Sequence, residues 1–174
     1  MIRGEKVCLR PVRRSDLAIL HERANEVDFE GEYNYFGLHR DQHLLSGFEA
    51  DGLLGSEFGT LIVTTLNDQF IGSMSYHPVR YGPNIASSHY NIGISLDPEQ
   101  RGKGYGVEAQ QLLADYLFRI YPVGRVEATT DITNIPEQRA LEKAGFTREG
   151  VLRQAQWRNG QMHDMVQYSK IRGE

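Results

Sequence analysis

Cysteine is nearly absent from this 174-residue chain. Cys8 stands alone, so no internal disulfide can form, and no Cys/His spacing resembles a zinc site. Long apolar runs are missing too. The mean hydropathy is −0.48, and no stretch approaches the ~18 apolar residues of a spanning helix. Met1 to Lys6 alternates charged and apolar residues too closely for a secretory h-region. No large charge excess exists: 19 basic residues against 23 acidic ones give a net charge of −4, which argues against a nucleic-acid binder. Repeats, low-complexity tracts and linkers are lacking. With 40% hydrophobic and 24% charged residues, wholesale disorder is excluded. The expectation is one domain over 1–174, cytoplasmic, with no membrane and no nucleic acid as partner.

One absence is local. Residues 26–39 hold no Lys or Arg, yet carry Glu26, Asp28, Glu30 and Glu32 among Phe29, Tyr33, Tyr35 and Phe36. Around this segment the pattern reads as follows. Lys6 to Arg10 is a short strand, and Ser15 or Asp16 caps a helix carrying Leu17, Leu20 and Ala24. A second short helix carries Leu44, Leu45 and Phe48. Thr60 to Leu66 and Phe70 to Tyr76 form a hairpin about Asn67-Asp68-Gln69, and 84–88 reads as a loop. Tyr90 to Leu96 alternates, with Ile92, Ile94 and Leu96 on one face. Ala109, Leu112, Leu113, Tyr116 and Leu117 then recur at helical spacing. Arg125 to Thr130 is a strand, and Pro136 to Ala144 a helix stopped by Gly145. Leu152 to Trp157 and Met165 to Ser169 flank Asn159-Gly160, a strong hairpin signal. The order β-α-α-β-β-β-α-β-α-β-β predicts a mixed α/β sheet.

Between the alternating strand and the long helix lies Gln100-Arg101-Gly102-Lys103-Gly104-Tyr105-Gly106. Glycine at every second position lets backbone amides approach a ligand, and the following helix adds unpaired N–H groups and a positive dipole end. Arg101 and Lys103 complete an anion seat sized for a phosphate or diphosphate. A Walker A loop is excluded because Gly104, not Ser or Thr, follows Lys103. A Rossmann fingerprint is excluded because Val107 stands where its third glycine belongs. A turn serving only tight strand-to-helix packing is the plainer alternative, and it leaves the interleaved basic residues unexplained.

Arg101-x-x-Gly104-x-Gly106 after an apolar strand resembles the acetyl-CoA loop of the GNAT superfamily of N-acyltransferases. Leu9-Arg10-Pro11 with Asp16, Asn134 followed by Ala140-Leu141-Glu142-Lys143-Ala144-Gly145-Phe146, and Glu149-Gly150, Leu152-Arg153 and Asp164 are similar to its ribosomal-protein N-terminal acetyltransferase-like branch. The resemblance covers residues 7–171. It implies an α+β fold: a mixed, mostly antiparallel sheet of about seven strands, splayed at the acyl-CoA site and flanked by about four helices. It implies acetyl transfer from acetyl-CoA to a primary amine by direct attack, with no metal. Ile94, Ser95 and Leu96 would meet the pantetheine arm. Arg101, Gly102, Lys103, Gly104, Tyr105 and Gly106 would wrap the diphosphate. Asn134 would stand near the pantetheine, or serve as a plain helix N-cap. Homodimers are frequent in the family.

The departures bear on mechanism. The late-helix tyrosine that many relatives use as acid falls at Leu141. The serine found in some branch members falls at Glu137. The glutamate that often precedes Ile-Gly as base is Asn91, before Ile92-Gly93. No catalytic residue is thereby assigned. Glu30, Glu32 and His89 are the candidate substitutes, His89 also reading as a solvated loop residue. A positioned acid or base contributes ~10²–10⁴-fold, against effective molarities of ~10⁵–10⁸ M from positioning. Neutralising a lysine-like amine at pH 7 costs ~4.6 kcal/mol, and an α-amine only ~1 kcal/mol. Weak base machinery therefore suits amines of low pKa.

The carboxylates and aromatics of 26–36 border the acceptor cleft in this family and suit a cationic amine; a solvated acidic loop is the alternative. Trp157, His163 and Tyr168 could line the cleft, or the first and last could pack in the core. A catalytically silent CoA-binding or interaction domain is the rival to the enzyme.

Overall fold

The computed structural model describes residues 1–84 and 87–174. Its strands are β1 Ile2–Arg3, β2 Val7–Pro11, β3 Gly59–Thr65, β4 Phe70–Arg80, β5 Ser88–Leu96, β6 Arg125–Asp131, β7 Thr147–Arg158 and β8 Gln161–Ile171. Its helices are α1 Leu17–Ala24, α2 Val27–Asn34, α3 Asp41–Asp51, α4 Tyr105–Ile120 and α5 Ile135–Lys143. The strands form one sheet in the order β1-β2-β3-β4-β5-β6-β8-β7. This is the expected mixed α+β architecture with two additions. β1 is a two-residue edge, too short to leave a periodic signal. The acidic-aromatic segment, expected as a connection, is helix α2.

Every neighbouring pair is antiparallel except β5 and β6. Those two pair only through Tyr90–Val126, Asn91–Glu127 and Ile92–Ala128. Beyond Ile92, β5 continues on β4 alone, Gly93 to Leu96 facing Ser75 to Gly72. Thr129 to Asp131 of β6 continue on β8. The parallel pair thus opens at its carboxyl ends, where open α/β sheets generally take ligands.

One face of the sheet is covered by α4, which buries Ala109, Leu113, Ala114 and Leu117 against Val7, Val63, Tyr90, Ile92 and Val126. A smaller cluster of Val12, Leu20, Leu53 and Ile62 seats α1. Asp16 does not cap α1 with its side chain. Its carboxylate accepts from Arg10 Nη1 at 2.7 Å and Nη2 at 3.0 Å and from the Arg13 N–H at 2.7 Å. Burial opposes its ionisation, but the Arg10 and Arg13 bonds outweigh that and hold its pKa below the usual range. The Asn159-Gly160 turn forms as read, both residues at positive φ (51° and 79°), the requirement of a type I′ hairpin. β5 begins at Ser88, two residues before the expected start at Tyr90, and pairs that residue with Arg80. The expected loop 84–88 falls partly outside the described residues.

Candidate functional site

The opening between β5 and β6 widens into a cleft of about 660 Å³. Its lining comes from four places. Ile94, Ser95 and Leu96 of β5 form the floor, with Arg101, Gly102, Gly104, Gly106 and Val107 of the glycine loop at one end. Residues 30–34 of α2 form one wall, and Asn134 to Lys143 of α5 the other.

The glycine loop leaves backbone amides open at the N-terminus of α4. Gly102 (φ 75°) and Gly104 (φ 81°) occupy the left-handed region, which costs a side-chain-bearing residue about 1–2 kcal/mol. Gly104 is the N-cap of α4 and supplies no capping side chain, so the first-turn amides stay open. The acidic residue of that turn, Glu108, is committed elsewhere: its carboxylate accepts the N–H groups of Glu5, Lys6 and Val7 at 2.7–2.8 Å. The loop's charges are used differently from the expectation. Arg101 donates to the Leu96 carbonyl at 3.0 Å and to the Phe29 carbonyl, lashing loop, β5 and α2 together. Lys103 Nζ donates to Gln100 Oε1 at 3.0 Å, and neither Lys103 nor Tyr105 lines the cleft. The cations of the far wall are Arg139 and Lys143, which sequence reasoning passed over. Their spacing on one helix face was the available signal.

The wall made by α2 is bent at Gly31 (φ 71°, ψ 178°), a region almost reserved for glycine. The bend lets Glu30, Glu32 and Tyr33 all reach the cleft. Glu30 accepts a hydrogen bond from Ser95 Oγ at 2.8 Å. Burial pushes its carboxyl pKa up, against the lowering effects of Ser95, His39 and Arg101. Asn34 Nδ2 donates to the Ile94 carbonyl at 3.4 Å, and Tyr33 Oη to the Thr133 carbonyl at 3.4 Å. Behind the cleft, Arg158 donates to the Tyr33 carbonyl at 3.4 Å and pairs with Asp131. Burial opposes Asp131's ionisation, but the Thr133 hydroxyl and N–H and the Arg158 guanidinium hold it at about 2. Glu26 belongs to a different set: it takes Arg23 at 2.7 Å, whose guanidinium lies 5.0 Å from the Phe29 ring centre.

His89 is not part of this assembly. It pairs with Val79 near the start of β5, roughly 16 Å of strand from Ile94. Its Nδ1 is buried without a hydrogen-bond partner among the described residues. Trp157 is 64% exposed on the edge strand β7, so it is neither core nor cleft. Tyr168 is fully buried, and His163 Nδ1 stands 3.0 Å from Asp131. Leu141, at the position of the missing tyrosine, is fully buried in the main core.

Asn134 lines the cleft and caps α5, accepting the Glu137 N–H at 3.4 Å, so its expected N-cap role is seen. Glu137, half-buried, lines the cleft one turn into α5. Burial lifts its carboxyl pKa to about 7, with Gln110's side-chain amide pulling it down. No group of three or more His, Cys, Asp or Glu suited to a metal exists among the described residues.

Comparison with known proteins agrees with this geometry. Residues 6–147 match the acetyltransferase (GNAT) domain family. The chain is 28% identical to the probable N-acetyltransferase YjcK of Bacillus subtilis over 171 residues, covering 94% of this chain and 93% of that one. In fold it is similar to the spermidine N-acetyltransferase of Vibrio cholerae in complex with CoA and spermine: TM-score 0.81, 20% identity, 97% and 96% of the two chains covered. It is equally similar to RimL, the ribosomal L7/L12 α-N-protein acetyltransferase in complex with coenzyme A, with TM-score 0.81, 19% identity and 98% and 97% covered.

Proposed function

The chain belongs to the GNAT family of acetyl-CoA-dependent N-acetyltransferases, and from that premise we propose that acetyl-CoA lies in the opening between β5 and β6 and that the acceptor is a cationic primary amine drawn in by α2. The observation that carries this reading is the parting of β5 from β6 after three residue pairs, with open amides at one end of the gap and Glu30 and Glu32 on its wall. The residues suit the co-substrate. Backbone groups of Ile94, Ser95 and Leu96 border the gap as a pantetheine rail. Gly102, Gly104 and Gly106 leave room for a diphosphate at the α4 N-terminus, and Arg139 and Lys143 supply the full charges. Acetyl-CoA contributes an activated thioester; the chain's part is to hold it, orient the amine and manage two protons.

Glu30 is the best-placed group to receive the amine's proton. Its raised pKa keeps it a better base than an ordinary carboxylate, and Ser95 fixes it to the donor strand. Charge carries the selectivity: α2 brings Glu30, Glu32 and the aromatic Tyr33 to the cleft, a set suited to an ammonium. The V. cholerae relative named above, with its bound polyamine, is consistent with such an acceptor. The whole chain, 1–174, acts as one catalytic domain. Among the described residues no helix is long and apolar enough to cross a membrane, and we place the enzyme in the cytoplasm. A homodimer would cover part of the exposed β7 edge, where Val151, Leu152 and Trp157 face solvent.

Thiol release from acetyl-CoA across an amine panel tests the proposal. Polycationic amines and free protein N-termini should release thiol faster than amines carrying a carboxylate. Equal rates regardless of charge would remove the role given to α2.

A further inference from the structure

With the tyrosine position filled by a buried leucine, a proton donor for the departing sulfur has to come from elsewhere. The cleft holds three carboxyl groups: Glu30 and Glu32 on α2, and Glu137 on α5. Glu137 differs from the other two in its surroundings. It stands on the wall opposite α2, in the first turn of α5 beside Asn134. From α4, the Gln110 side chain reaches into the same place. Gln110 is 1% exposed, and its Nε2 lies 4.0 Å from where a Cβ on Gly106 would be. That nitrogen is buried and makes no hydrogen bond of ordinary geometry among the described residues, yet its side chain lies close enough to Glu137 to pull that carboxyl's pKa down. A buried amide without a well-formed hydrogen bond is costly, so its place beside the cleft wall calls for a partner. Gln110 is therefore placed to donate to the Glu137 carboxylate once that forms.

We propose that Glu137 is the catalytic acid that delivers a proton to the coenzyme A sulfur as the acetyl group leaves. The inference rests on the cleft being the acetyl-CoA site. The amine lone pair forms the new C–N bond, the C–S bond breaks, and its electron pair goes to sulfur. Glu137 gives its proton to that sulfur, and the Gln110 amide then meets the carboxylate left behind. The nitrogen's surplus proton leaves toward Glu30 and solvent, and solvent reprotonates Glu137, so the products are an amide and a free thiol. Burial is what keeps the Glu137 proton available at neutral pH, its pKa being about 7. The other charged groups lining the cleft are Arg101 from the loop, Arg139 and Lys143 from α5, and Glu30 and Glu32 from α2.

Two measurements on Glu137→Gln and Glu137→Asp test this. The first is calorimetry of acetyl-CoA binding without acceptor, at pH 7.5 in buffers of different ionisation enthalpy. Covering a carboxyl of pKa near 7 raises it further, so the wild type should take up roughly half a proton or more on binding. Glu137→Gln should bind within threefold as tightly and take up none. The second is the pH profile of kcat at saturating acceptor. Glu137→Gln should lower kcat about 10- to 100-fold and lose the alkaline decline, while Glu137→Asp keeps that decline. Equal proton uptake in wild type and Glu137→Gln, or an unchanged alkaline limb in a folded Glu137→Gln, overturns the assignment. A wild type that binds no acetyl-CoA overturns the cleft reading itself, and the acid with it.

Discussion

The two ends of the cleft are made by different means. At the glycine loop the chain uses its own backbone: two left-handed glycines, an uncapped helix and residues adjacent in sequence. At α2 it uses side chains and distant partners. Glu30 is fixed by Ser95, 65 residues away, and the Tyr33 carbonyl by Arg158, 125 residues away. In the proposed reading, backbone amides would meet the diphosphate common to every CoA thioester, so the loop need not vary with substrate. Side chains on a short, bent helix can change without disturbing the sheet. The proposed co-substrate end would then rest on local chain geometry and the proposed acceptor end on tertiary contacts. Substitutions on each side should affect different constants.

The largest effect is expected from Gly104→Val. Gly104 holds φ 81°, and a Cβ there would stand 3.2 Å from Lys6 Nζ. The side chain would also occupy the approach of a diphosphate to the α4 amides. Acetyl-CoA affinity should fall by more than about 100-fold, well beyond the stability cost of about 1–2 kcal/mol from the left-handed backbone. Calorimetric Kd and thermal melts on the same sample separate the two. A folded variant with unchanged Kd would mean that the loop does not hold the co-substrate.

This asymmetry also governs what the sequence could reveal. The strands, α4, α5 and the glycine loop were legible because period, punctuation and spacing are local signals. The bend of α2 was not. Gly31 reads as a helix breaker, and the helix around it is tied down by partners distant in sequence: Arg158, Ser95, Arg101, Ile94 and Thr133. The cations were half legible: Arg101 and Lys103 drew notice by lying between glycines, whereas Arg139 and Lys143 reach the cleft only because α5 packs beside the splay. Glu137 was visible as a departure from the family's pattern, but its burial is a tertiary property that spacing cannot carry.

Asp131→Asn should produce the largest change on the acceptor side, through stability. Asp131 and Arg158 are both about 98% buried at the side chain, with 2% exposure each. Removing one partner leaves a buried guanidinium short of its counter-charge, at a cost of about 3–5 kcal/mol. Arg158 would also hold Tyr33 less firmly. The pH dependence has a defined sign. Asp131 is held at about 2 in the folded protein, below its unfolded value of about 3.9. Its contribution is therefore full above about pH 4 and is lost as pH falls toward 2. Denaturant titrations at pH 7 and pH 3 should show the difference between wild type and variant narrowing by about half, since pH 3 lies between the unfolded and folded pKa values.

Gly31→Ala sets the same backbone demand on the acceptor wall that Gly104→Val sets on the donor wall. Space is available, since the nearest atom to a Cβ would be Arg101 Nη1 at 3.7 Å, but φ 71° with ψ 178° costs about 1–3 kcal/mol outside glycine. Straightening α2 should raise the acceptor KM about tenfold and leave acetyl-CoA Kd within about twofold. Equal changes in both constants would show that the two walls are not independent.

Glu30→Gln with Glu32→Gln is the mildest intervention, because it keeps shape and removes only charge. An ammonium meeting partly exposed carboxylates gains about 0.3–1 kcal/mol from each, so the acceptor KM should rise about threefold to tenfold at low salt. The difference should shrink above ~0.1 M salt, where exposed charges are screened, and acetyl-CoA affinity should not move. Acidification supplies a second axis. Burial raises the Glu30 pKa, so its carboxylate is lost on lowering pH sooner than an ordinary glutamate's. The wild-type advantage in KM should accordingly fade before the protein's own acid unfolding begins. Initial rates over acceptor concentration, at two salt concentrations and two pH values, test all three features together. A KM ratio indifferent to both salt and pH would leave α2 as a steric wall whose carboxylates merely face water, and the charge contrast between the two ends of the cleft would carry no selectivity.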